Sequence, residues 1–149
     1  MTQFLESEVL EIEAVRQAVD AALIDEVDLN NWFDQSEIKQ RFKKARIRDQ
    51  GIRCCYCKKF IPLTDNDAWD LEHVLCELHY PQFFAVAENL AIACGPCNRA
   101  KRDEPVLRPV AIPAPRIAVL PVDPERYSIP HPRFDDWGQL TCPRTFIQP

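Results

Sequence analysis

Cys54-Cys55-Tyr56-Cys57 and Cys94-Gly95-Pro96-Cys97 are two C-x2-C pairs with 36 residues between them, and the reading of this stretch decides the fold. Each pair sets two thiolates on one tight turn, and two turns complete a tetrahedron of sulfur at about 2.3 Å from a zinc ion. With all four positions filled by protein the site is closed, hence structural. By spacing Cys54 pairs with Cys57, which leaves Cys55 outside the set. The gap exceeds a zinc ribbon's usual span, so zinc clamps the base of an inserted module. That module contains a strand-like Trp69–Leu75 and a short strand at Ala91-Ile92-Ala93. Pro96 suits a first helical turn, where its missing N–H costs nothing. The helix then carries Cys97 to about Asp103 and ends before Pro105.

Upstream, Leu5, Val9, Ile12, Val19 and Leu23 recur at helical spacing and predict one amphipathic helix over residues 4–27. Asp34-Gln35-Ser36-Glu37 fits a capping box for a second helix, with Gly51 as its stop. Downstream, ten of the 13 prolines fall between 105 and 149, which excludes long helices there. Apolar residues such as Ile117, Leu120, Ile129 and Trp137 predict an extended tail wrapped over the core. The expected class is therefore α+β, in three spans. Residues 1–51 are a helical segment, 52–104 a zinc-stapled core and 105–149 a proline-rich extended tail.

The 149 residues carry a net charge of −5, but the mean conceals blocks. Residues 1–34 hold nine acids and one base, whereas 39–59 hold nine bases and one acid. The basic block is either a solvated helix face or a surface for a polyanion. No window approaches 18 apolar residues, which excludes a membrane span. The N-terminus lacks the basic and apolar regions of a secretory signal, so a cytoplasmic setting with reduced thiols is expected.

Three further residue types bear chemistry. Glu72 and Asn98 offer the oxygen donors that a hard cation such as Mg²⁺ or Mn²⁺ takes. His73 titrates near neutrality and suits a general base that takes a proton from an attacking water. Lys58, Arg99, Lys101 and Arg102 are candidate phosphate contacts, with solvated surface as the plain alternative. Asn89 by itself reads as a turn or helix-cap residue. Cys76, His79, His131 and Cys142 read first as packing or surface residues.

Taken in order, Cys54-x2-Cys57, Glu72-His73-Val74, Asn89-Leu90 and Cys94-x2-Cys97-Asn98-x2-Lys101 resemble the HNH endonuclease family over about one-third of the chain. The resemblance implies a ββα-metal core that hydrolyses DNA phosphodiester bonds. In it His73 is the general base, Asn89 orients that base through a hydrogen bond, and Glu72 and Asn98 hold one divalent metal. The glycine frequent in the family after the final lysine is Arg102 in this chain. Tyr80-Pro81-Gln82-Phe83 and His131–Asp136 look more loosely like a bacterial anti-phage subgroup, Septu-type systems and retron effectors, some of which work with an ATPase. Expected partners are DNA and either an ATPase or a second copy of the chain, docked on the acidic N-terminal helix. A zinc module that binds nucleic acid or protein without catalysis is the alternative.

Overall fold

The computed structural model describes residues 2–62, 68–109 and 117–129. Trp137, Cys142 and the 131–136 motif lie outside these residues. In chain order the elements are α1 (Glu6–Asp20), α2 (Glu26–Gln35), α3 (Glu37–Asp49), β1 (Trp69–His73), β2 (Leu90–Cys94) and α4 (Gly95–Lys101). Among the described residues the fold is α+β.

The single helix expected over 4–27 is two. α1 ends in a Schellman-type stop, with Ala22 N–H bonded to Val19 O and Leu23 N–H to Ala18 O, both at 2.9 Å. Ala22 holds the left-handed φ of +56° that glycine usually supplies. α2 then starts on a reciprocal box in which Asp28 N–H donates to Asp25 Oδ1 (2.9 Å) and Asp25 N–H to Asp28 Oδ2 (3.1 Å). The cap of α3 is Ser36, which accepts from Lys39 N–H at 3.2 Å, and not Asp34. Asp34 instead pairs with the Lys39 ammonium. Gly51, at φ +63°, stops α3 as expected: Gly51 N–H bonds Arg48 O and Ile52 N–H bonds Ile47 O.

β1 and β2 pair antiparallel, with Trp69 opposite Cys94, Leu71 opposite Ile92 and His73 opposite Leu90. Gln50 extends the pairing from α3, its side chain donating to Ile92 O (2.9 Å) and accepting from Ile92 N–H (2.7 Å). α4 leaves β2 directly with Pro96 in its first turn. Alternation along β1 places Asp70 and Glu72 toward α4 and Trp69, Leu71 and His73 toward the opposite face.

That opposite face is filled from the N-terminus. Phe4 packs on Phe33 and Phe42, Phe33 packs edge-on against Phe84, and Phe84 stacks on His73 at 4.1 Å. The Glu8 carboxylate grips the Arg41 guanidinium at two nitrogens. Arg16 donates to Gln82 O (3.1 Å) and Ala85 O (3.2 Å). Of the stripe expected to meet a partner, Ile12 is buried in its own chain, while Leu5, Val9 and Leu23 stay exposed. Val106, Leu120, Tyr127 and Ile129 join the same buried cluster, and Leu107 bridges Tyr127. One core thus draws residues from all three spans. No helix among the described residues is long and apolar enough to cross a membrane.

Candidate functional site

The thiols of Cys54, Cys57, Cys94 and Cys97 lie within 4.8 Å of one another, and among the described residues this is the one convergence of three or more histidine, cysteine or carboxylate ligands. Four sulfurs at 2.3 Å from a tetrahedral zinc are about 3.8 Å apart, and Cys57 Sγ to Cys94 Sγ is 3.8 Å. The donor set fits a zinc ion. Cys54 Sγ accepts from Tyr56 N–H (3.4 Å) and Cys94 N–H (3.3 Å). A hydrogen bond from the Cys55 thiol, joined by these backbone donors, outweighs burial and brings Cys54 down to about 4, a ready thiolate. Burial pushes the Cys55 thiol up, so Cys55 stays a neutral donor beside the cluster. The C-x2-C spacing independently leaves Cys55 outside the ligand set.

Glu72 is 3% exposed, and burial raises its pKa against the opposing pull of Lys101. One of its oxygens is engaged twice: Lys101 Nζ lies 2.6 Å from Oε1 and Tyr56 Oη donates to the same atom at 3.0 Å. Lys101 also donates to His73 O at 3.0 Å and Arg102 O at 3.4 Å. Lys101, expected at the surface for phosphate, is instead a buried cation serving its own chain. One turn earlier on α4, Asn98 Nδ2 donates to Asp70 Oδ2 at 3.0 Å. Glu72 and Asn98 therefore share the α4 face, with Glu72 Oε1 and Asn98 Nδ2 engaged by protein partners. Among the described residues no set of three histidine, cysteine or carboxylate ligands converges there.

His73 sits at the last position of β1, half-buried, with Nε2 buried and lacking a hydrogen-bond partner. Burial, with the Lys39 charge, brings the imidazole down to about 4, opposed by Asp34 and by a hydrogen bond to the Phe84 backbone. The ring is neutral at pH 7. A backbone bond that favours protonation is that of a ring N–H to a carbonyl, which leaves Nε2 as the nitrogen with the lone pair. Asn89 was expected to bond the base itself. It instead staples the loop that follows: Oδ1 accepts from Leu75 N–H (2.8 Å), and Nδ2 donates to Leu75 O (3.0 Å) and Phe83 O (3.1 Å). This holds Phe84 over the imidazole.

Arg99 and Arg102 are exposed. A Cβ on Gly95 would lie 2.9 Å from a guanidinium nitrogen of Arg99, so that side chain folds back toward the start of α4. Lys58 is half-buried with φ +60°, and its carbonyl accepts from Arg53 at 3.0 Å. Sequence reading missed Tyr56 and Phe84. Tyr56 stands between two ligand cysteines, and a residue confined to a knuckle was a readable signal. Phe84 carried none, because its place over His73 depends on a 16-residue connection. Comparison with protein-family models, curated proteins and solved structures gave no match to this chain.

Proposed function

We propose that the chain is a zinc-stapled HNH-type endonuclease hydrolysing DNA phosphodiester bonds, with His73 as general base. The observation that carries this reading is a neutral imidazole at the end of the first strand of a ββα unit, with an unpartnered Nε2 and its ring held by Phe84. Nε2 would accept the proton of a water attacking phosphorus. Asn89 acts as a positioning residue through the Leu75 and Phe83 backbone. Lys101 ties the β1 terminus to α4. Mg²⁺ or Mn²⁺ at Glu72 and Asn98 is the family's expectation, and its contribution would be to stabilise charge on the phosphoryl oxygens. The Glu72–Lys101 pair stands against that ligand set, so no step is assigned to it. The reading places the protein in the cytoplasm, where reduced thiols keep zinc, and takes the looser anti-phage resemblance as pointing to an ATPase partner.

A second reading, a zinc module that binds DNA or protein without cutting, is favoured by the Glu72–Lys101 ion pair and the buried Nε2. Incubation of supercoiled plasmid with the zinc-loaded protein and Mg²⁺ or Mn²⁺, with and without EDTA, separates the two. Nicking that is lost in EDTA and in His73→Ala supports the nuclease. Plasmid retardation without nicking in any metal supports the binding module.

A further inference from the structure

Asn30 on α2 is 2% exposed, and its Oδ1 is buried with no hydrogen-bond donor. Its Nδ2 donates to Glu77 Oε1 at 2.7 Å. A carboxylate only accepts, so the amide nitrogen must face Glu77 and the unmatched atom is the oxygen. Such an atom costs free energy until a donor reaches it. Asn30 and Glu77 both line a cleft of about 510 Å³ that also takes in Asp25, Glu26 and Asp103. Three elements meet there. Asn30 ties α2 to the segment after β1, and the Cys76 thiol of that segment donates to Asp103 O (3.4 Å) on the turn after α4.

The polar side chains lining the cleft are all carboxylates except Asn30, whose donor nitrogen is engaged. Asp25, Glu77 and Asp103 make no ion pair among the described residues. The complementary ligand therefore carries donors and positive charge and no acceptor, which describes a guanidinium. Four carboxylates repel a nucleic acid. They do not converge on a metal ion either, since among the described residues only the four cysteines gather three or more ligands. The cleft has the size of an organic-ligand site. Val27 and Leu78 on its lining are 58% and 69% exposed, an apolar lip on which an arginine stem and its neighbours can lie.

We propose that this cleft docks a partner protein through an arginine flanked by apolar residues, its guanidinium on Glu77 and Asp103 and one N–H turned to Asn30 Oδ1. Five donors in one plane serve two carboxylates and a carbonyl together, which three on a lysine ammonium do not. The inference is independent of the nuclease reading.

The test titrates full-length, zinc-loaded, ¹⁵N-labelled protein with Nα-acetyl-arginine amide, whose one charge is the guanidinium. The citrulline and lysine counterparts and acetyl-Leu-Arg-Leu amide follow. The arginine amide should bind saturably in the millimolar range, shifting the Asn30 side-chain amide and the backbone at 77–78. Citrulline, the neutral isostere, should bind at least about tenfold more weakly, and lysine should fall between them. Glu77→Gln with Asp103→Asn keeps an acceptor for Asn30 and should weaken arginine binding at least about tenfold in a protein whose other resonances are unmoved. Acetyl-Leu-Arg-Leu amide should bind at least about tenfold more tightly than the arginine amide, because its leucines cover Val27 and Leu78. Absence of saturable shifts, equal binding of citrulline, or equal binding by the double variant overturns the site. Equal binding of lysine overturns the choice of arginine. A tripeptide no tighter than the single residue overturns the protein partner and makes the cleft a site for a small free cation.

Discussion

Two side chains at the end of β1, the buried Glu72 and the half-buried His73, carry most of the local chemistry, and each makes its own prediction. Replacing His73 by alanine should lower cleavage by about 10²–10⁴, the usual contribution of a general base, with melting and zinc content as controls for the fold. The same ring sets a pH dependence of stability. Its pKa falls from the ordinary 6.5 to about 4 in the folded chain, so between those values the unfolded chain binds more protons. Stability present above pH 6.5 is therefore lost as pH falls toward 4, by up to about 3 kcal/mol. Urea unfolding at pH 7 and pH 4.5 should show this loss in zinc-saturated wild type and not in His73→Phe. Glu72 and Lys101 predict a different pattern. Lys101→Met leaves a carboxylate buried without its cation and should destabilise by about 3–5 kcal/mol. Adding Glu72→Gln should recover most of that loss, a coupling that a double-mutant cycle measures. Additive losses would mean that the 2.6 Å pair contributes nothing.

At the scale of elements, a zinc ion on the four cysteines would explain why so small a sheet holds. A two-stranded ribbon is marginal by itself in water, and β1–β2 is pinned at one end by Cys94 and carried into α4 by Cys97. Metal bound there would add its binding free energy to folding. Chelation, or Cys94→Ser, should therefore unfold the core, read as collapse of the melting transition with loss of bound zinc. Cys55→Ser should keep zinc at wild-type stoichiometry, because Cys55 only donates to the Cys54 thiolate. A folded Cys94→Ser protein with unchanged melting would remove zinc from the account. The cluster was legible because a ligand spacing is local: two turns, four sulfurs. Helix starts were less so. The break at Ala22 has no glycine to mark it, and the Asp25–Asp28 box uses an aspartate where the usual signal has Glu or Gln. Ser36 and Asp34 compete as caps two residues apart, and only tertiary placement sends Asp34 to Lys39. The Glu72–Lys101 pair joins residues 29 positions apart, beyond any periodicity.

Across the whole molecule, the two charge blocks that read as an acidic docking surface and a polyanion surface partly neutralise each other. Arg41 is held by Glu8 and Lys39 by Asp34 across the blocks, while within the basic block the fully buried Arg46 is held by Asp49 and by the Ala87 carbonyl. What remains for DNA is less than the count of basic residues suggests, and α1 belongs to the path that positions His73. Phe4, Phe33 and Phe84 form a continuous aromatic run to the imidazole, and Arg16 anchors the 82–85 loop carrying Phe84. Arg16→Met keeps the apolar stem and removes both charge-assisted bonds, each worth about 1.5–3 kcal/mol. It should lower stability by about that order and reduce cleavage more than His73 burial alone would suggest, because Phe84 loses its support. Deletion of residues 1–21 goes further, stripping Phe4, Glu8, Ile12 and Arg16 together, and should abolish cooperative melting. If the truncated protein instead melts like wild type and still nicks plasmid, α1 is a docking arm whose packing contributes nothing to the core. If Arg16→Met alone loses cleavage at unchanged melting temperature, the loop and not global stability transmits the effect.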